Sequence, residues 1–226
     1  MHYSPPLHNH QTFQRLYGPE GRQIFKGIYN NILLTASETR QKSILICAAR
    51  MEEGATTVAM GLALAAADME NQPVLLVDGN FVHPQICDAF GQPELYGFGD
   101  YLAGRIEVQS VVKKTAIANL HVMGAGVPPL NHVSLLEAPA FRNLMDKLKS
   151  TYHVVIIDGP PINTFPESVI YAAQVDRVIL VVLSGITRVQ VVETALAKLT
   201  AGGSENIDVV LNRRTFPIPP WIYRRL

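Results

Sequence analysis

Apolar positions along this chain come in short unbroken runs: "SILICA" at 43–48, "PVLLVD" at 73–78, "NLHVMG" at 119–124, "HVVIID" at 153–158, "RVILVVL" at 177–183 and "IDVVLN" at 207–212. A half-exposed strand alternates apolar and polar residues. Unbroken apolarity over this length marks strands buried on both faces, as in a parallel sheet. Between the runs lie stretches of helical length at 54–70, 133–151, 166–174 and 188–201, the last with apolar residues three and four apart in "RVQVVETALAKL". An amphipathic helix over about 20–36, "EGRQIFKGIYNNILLTA", precedes the first run and must dock on the domain or on a neighbour. The alternation predicts an α/β fold: a doubly wound, mostly parallel sheet with helices on both faces. The expected organisation is a flexible arm over 1–18, one α/β domain over 19–214 and a tail over 215–226, with no internal repeat.

Composition narrows the partners. A chain of 226 residues, 48% hydrophobic, can bury one full core. Its 19 basic and 19 acidic residues cancel, so no global field argues for nucleic acid. Cys47 and Cys87 make no metal-ligand spacing and read as reduced thiols of a cytosolic protein. The opening "MHYSPPLHNHQTFQRLYG" lacks the apolar segment of a signal peptide, and its histidines read as part of a solvated arm. No apolar run is long enough to cross a bilayer, so the chain is expected in the cytoplasm.

In an open parallel sheet, ligands sit beyond the carboxyl ends of the strands. Three such ends carry chemistry: "AARMEEGATT", "DGNFVHP" and "DGPPI". No G-x-G-x-x-G follows any of them, so a dinucleotide reading fails while a mononucleotide reading survives. A working phosphate loop needs glycines that let backbone N–H groups wrap phosphate, a lysine for the terminal phosphates, and a Ser or Thr for magnesium. Here Gly54, Thr56 and Thr57 remain, Ala49 stands for the first glycine, Ala55 stands for the lysine, and Glu52 and Glu53 bring negative charge. Losing one charge-assisted contact costs about 1.5–3 kcal/mol, or one to two powers of ten in affinity. An ordinary capping turn before helix 54–70 is the alternative. Asp78 and Asp158 each close a buried run, a placement that aims a carboxylate at magnesium beside a phosphate loop. Each is also a residue type that caps a following turn.

The order "SILICAARMEEGATT", "VLLVDGNFVHPQICDAFG", "GFGDYLAG", "HVMGAGVPPLN", "YHVVIIDGPP", "DRVILVV" and "VVLNR" resembles the bacterial tyrosine kinase family of capsule and exopolysaccharide synthesis. These CpsD/CapB-like proteins are relatives of the MinD and ParA ATPases, and the likeness spans about residues 20–214. It implies a P-loop fold and ATP-dependent tyrosine autophosphorylation. It further implies a peripheral place at the inner membrane, through a membrane-spanning, Wzz-like polysaccharide co-polymerase. By position, Thr56 becomes the magnesium-holding hydroxyl, Asp78 the first acid of the second Walker-type motif and the catalytic acid of an active member, Asp158 the Walker B acid, and Asn212 the base-contacting residue. Gly54, Ala55, Thr56 and Thr57 form the nucleotide loop.

The departures are equally specific. The family lysine falls on Ala55, a loop glycine on Glu52, the second acid after Asp78 on Asn80, and the next arginine on Val82. The Glu, Arg, Arg series that the resemblance assigns to ring assembly reads Gln23, Lys26 and Tyr29, and the tyrosine cluster of autophosphorylation shrinks to Tyr223 in "PPWIYRRL". The losses fall on phosphoryl transfer and leave the strands and turns in place. The expected protein is therefore a degenerate kinase-like regulator or assembly partner of a polysaccharide polymerisation and export complex, with weak or absent binding of ATP and magnesium. Two alternatives stay open: an active autokinase in which Arg50, or a neighbouring subunit, replaces the lysine, and a MinD/ParA-like ATPase that dimerises on ATP. The tail "NRRTFPIPPWIYRRL", rich in arginine, proline and aromatic rings, suits docking on a membrane or a membrane partner, and otherwise is a solvated terminus.

Overall fold

A computed structural model describes residues 16, 18–34, 43–93 and 96–213. Apart from Leu16 and Gly18, the expected arm over 1–18 lies outside the described residues, as does the tail over 215–226 with Tyr223. Seven strands form one sheet: β1 (Ser43–Ala48), β2 (Val74–Asp78), β3 (Val112–Lys114), β4 (Leu120–Met123), β5 (Val154–Asp158), β6 (Arg177–Leu183) and β7 (Ile207–Asn212). Their order is β3-β4-β2-β5-β1-β6-β7, and every pairing is parallel except β3 with β4. The helices are α1 (Pro19–Leu34), α2 (Ala55–Glu70), α3 (Ile86–Ala89), α4 (Phe98–Leu102), α5 (Val108–Val111), α6 (His132–Glu137), α7 (Pro139–Thr151), α8 (Glu167–Ala172) and α9 (Val189–Ala201).

Strand parity divides the core. Ile44, Ile46, Val74, Leu76, Val154 and Ile156 face the layer of α1 to α3, while Leu45, Cys47, Leu75, Val77, Val155 and Ile157 face α4 to α9. Successive side chains on a strand point to opposite faces, so Asp78 and Asp158 emerge on the α2 side. Both thiols are buried, and neither is in a disulfide. Burial, and then Asp158, push the Cys47 thiol up to about 12, which leaves it inert.

The six apolar runs fall on strands within a residue of their expected limits. The stretch expected as one helix over 133–151 is two. Ala138 is extended at ψ 154 ahead of Pro139, because a proline ring disfavours the helical conformation of the residue before it and suits a first helical turn. The antiparallel edge strand β3 and the short helices α3, α4 and α5 were not expected.

Helix α1 is tied to its own domain by two of the three residues at the positions that the resemblance assigns to ring assembly, Lys26 and Tyr29, together with Arg22. Tyr29, 1% exposed, donates its hydroxyl to Glu70 at 2.9 Å, and Glu70 also meets His153 at 2.8 Å. Lys26 and Arg22 pair with Asp68 at 3.3 and 3.5 Å, while Gln23 is exposed.

A second clasp fixes the loops after β4. The start of α4 lies against "GAGV": the N–H of Phe98 donates to Gly124 at 2.8 Å and that of Gly99 to Ala125 at 2.7 Å. Asp100 binds both sides, accepting from the N–H groups of Gly97 at 3.0 Å and Val127 at 3.1 Å and from Arg105 at 2.7 Å. Gly126 is left-handed at φ +64, and a Cβ there would stand 2.3 Å from the Asp100 carboxylate. Burial alone would raise the Asp100 carboxyl, but its two backbone donors and the Arg105 guanidinium outweigh this and hold it below the usual carboxylate range.

Candidate functional site

Strands β1, β2, β5 and β6 end together at a cleft of about 640 Å³, on the side where α2 begins. Arg50, Gly54, Ala55, Thr56 and Thr57 line it, joined by Glu53, Asn80, His83, Thr187 and Arg213. The loop 49–54 thus sits at the N-terminus of a 16-residue helix, where free N–H groups and the helix dipole favour an anion. Its backbone supports that use in part. Gly54 takes φ +91, open to glycine, whereas Glu52 is held at φ +64, a conformation that disfavours a residue with a Cβ.

Asp78 and Asp158 are register partners on adjacent strands, each 1% exposed. Their surroundings differ. Asp78 accepts from the N–H groups of Asn80 at 3.2 Å, Gln85 at 2.9 Å and Ile86 at 3.0 Å, so its carboxylate caps the turn into α3. Neither oxygen of Asp158 accepts a hydrogen bond of good geometry among the described residues. Burial, and then the neighbouring Asp78 carboxylate, push the Asp158 carboxyl well above the usual range; the Thr56 hydroxyl pulls it back only in part. A buried orphan acid beside a threonine hydroxyl is a hard-oxygen donor set, and it fits magnesium.

The phosphate end does not fit a triphosphate equally well. Ala55 opens α2 with no cation, and Asn80, which the resemblance aligns with a second acid, has its side-chain oxygen engaged by the N–H groups of Val82 at 3.3 Å and His83 at 3.2 Å. The two loop glutamates, expected to act alike, do not. Glu52 is exposed, while Glu53 is 3% exposed and turned into the protein. One Glu53 oxygen accepts the N–H of Arg50 at 2.9 Å and the other accepts the Thr187 hydroxyl. Asn212 lies on the loop as well: its amide donates to the Glu53 carbonyl at 2.8 Å, and its oxygen accepts the N–H of Arg213. The Arg50 side chain is exposed at the cleft and makes no ion pair among the described residues.

Thr187 and His83 were not singled out from sequence, and Arg213, read there only as part of the basic tail, lines the cleft instead. Thr187 follows β6, so the strand-end rule that selected the other loops applied equally to "SGITR". Among the described residues, no helix is long and apolar enough to cross a membrane.

No protein-family model matches the chain. The putative tyrosine-protein kinase CapB of Staphylococcus aureus is 28% identical over 189 residues, 84% of this chain and 82% of that one. Among solved structures, the chimerical protein CapA2B2 superposes with a TM-score of 0.83 at 29% identity, covering 91% of both chains. The VpsO kinase domain gives a TM-score of 0.76 at 30% identity, covering 88% of this chain and 99% of that one. MinD of Pyrococcus horikoshii in complex with Mg-ADP, at TM-score 0.63 and 22% identity over 81% of this chain and 76% of that one, shares the fold.

Proposed function

Because this chain belongs to the bacterial tyrosine kinase family of capsule and exopolysaccharide synthesis, we propose that it is a catalytically degenerate member of that family. In this reading it regulates or assembles a polysaccharide polymerisation and export complex. Its place is at the cytoplasmic side of the inner membrane, held by a membrane-spanning co-polymerase that its tail helps to engage. The observation that carries the reading is Ala55 at the head of α2, where phosphoryl transfer needs a cation. Catalysis of that kind is positioning plus neutralisation of charge on the transferred group. A loop with an alanine here and a buried glutamate beside it supplies neither.

A second reading, an active autokinase, draws support from two features: the Arg50 guanidinium at the cleft, which makes no ion pair among the described residues, and the magnesium-compatible pair Asp158 and Thr56. Incubating the purified protein with magnesium ATP and probing for phosphotyrosine separates the two. No phosphotyrosine is the expected result. Phosphotyrosine that disappears in an Asp158→Asn variant would establish the autokinase instead.

A further inference from the structure

We infer that Glu53 closes the phosphate loop upon itself, so that its carboxylate stands in for the anion of a bound phosphoester and determines what the cleft refuses. The inference deepens the degenerate reading above and rests on it.

Acids are seldom this deeply buried without partners, and Glu53 has two from different parts of the chain. The N–H of Arg50 closes it within the loop at 2.9 Å, and the Thr187 hydroxyl ties it to the segment between β6 and α9, 134 residues away. The amide of Asn212, from the end of β7, holds the Glu53 carbonyl at 2.8 Å. Three strand ends therefore meet on one glutamate. The next residue tightens the arrangement: at Gly54 a Cβ would lie 2.2 Å from the Asn212 amide nitrogen, so Asn212 packs directly on the loop backbone.

Two consequences follow for an incoming polyphosphate. One backbone donor of the loop is already engaged by a carboxylate. That carboxylate also fixes negative charge at the cleft wall, with Ala55 offering nothing to neutralise it. Glu52 contributes far less, because it is exposed and its charge is screened by solvent and salt.

Calorimetric titration with inorganic pyrophosphate and magnesium tests this, because pyrophosphate probes the phosphate end without the base. The comparison is Ala55→Lys alone against Ala55→Lys with Glu53→Gln, which keeps the side chain's shape and removes its charge. The double variant is expected to bind about ten-fold more tightly, the worth of one charge-assisted contact. Affinities equal within about two-fold, or no binding by either protein, overturn the inference. Neither outcome touches the degenerate reading, which fails instead if the unaltered protein phosphorylates itself. Should melting curves show that Glu53→Gln does not fold, Thr187→Val in the Ala55→Lys background takes its place, since it keeps the charge and removes the hydroxyl that partly neutralises it, leaving the Arg50 N–H as donor. A weakening of about three-fold is then expected, and no change or a tightening overturns the inference.

Discussion

Replacing Asp158 by asparagine is expected to raise the thermal midpoint at neutral pH by roughly 3–10 °C, measured without magnesium. Most substitutions of fully buried residues destabilise, so the sign is informative. Among the described residues neither oxygen of Asp158 has a hydrogen bond of good geometry, the Thr56 hydroxyl lies beside it, and it stands in register with a second buried acid. The folded protein must either desolvate a charge there, against Asp78, or take up a proton. An amide of the same shape removes the like-charge repulsion and can donate toward Asp78. Relief of about 1.5–3 kcal/mol follows if an unsatisfied buried charged group carries its ordinary penalty. A lower midpoint in the variant would mean that Asp158 has a stabilising partner. Asp158 has the character of a residue kept for a site at the expense of stability, buried beneath the cleft next to Thr56, which lines it.

Asp100→Ala has the opposite sign. At pH 7 it is expected to cost roughly 3 kcal/mol, or about 6–12 °C in midpoint. The substitution removes the acceptor of two backbone N–H groups and of Arg105, and leaves the donors of Gly97 and Val127 facing each other. The pH dependence follows from the direction of the shift. The folded-state carboxyl is held below its ordinary value, so its contribution is fully present above the unfolded value, about 3.9, and is lost as pH falls through the lower folded value. The gap between wild type and variant should therefore be constant above about pH 5 and narrow toward pH 2. Circular dichroism melts across that range measure it. A gap that widens in acid would contradict the clasp.

The sheet was legible because burial on both faces writes continuous apolar runs, and all six such runs became strands. Strand β3 wrote no such run: it is three residues at the sheet edge, two of them Lys113 and Lys114. The break between α6 and α7 was legible in principle from Pro139, and was hidden by apolar spacing that continues across it. At the site, Asp78 and Asp158 were readable because each ends an apolar run, yet no sequence pattern distinguishes the turn-capping acid from the orphan. That difference depends on whether nearby N–H groups face the carboxylate. The Glu53 clasp was out of reach for a related reason. Its partners Thr187 and Asn212 lie 134 and 159 residues away, and a loop glutamate ordinarily faces water. Tyr29 gives the same lesson: in sequence it departs from a ring-assembly series, and in the structure it anchors α1 to Glu70.

The loop, the acids and the clasp bear on one question, whether the cleft still takes up a nucleotide. It opens at the strand ends, where an open parallel sheet takes its ligands. In the proposed reading Ala55 and Glu53 weaken its hold on phosphates, and Asn212, the base-contacting residue by resemblance, rests on the loop. The measurement that bears most directly on this is a calorimetric titration of the unaltered protein with magnesium ATP. The degenerate reading predicts no saturable heat at nucleotide concentrations up to about 1 mM, whereas saturable binding with a Kd below about 100 μM would contradict it.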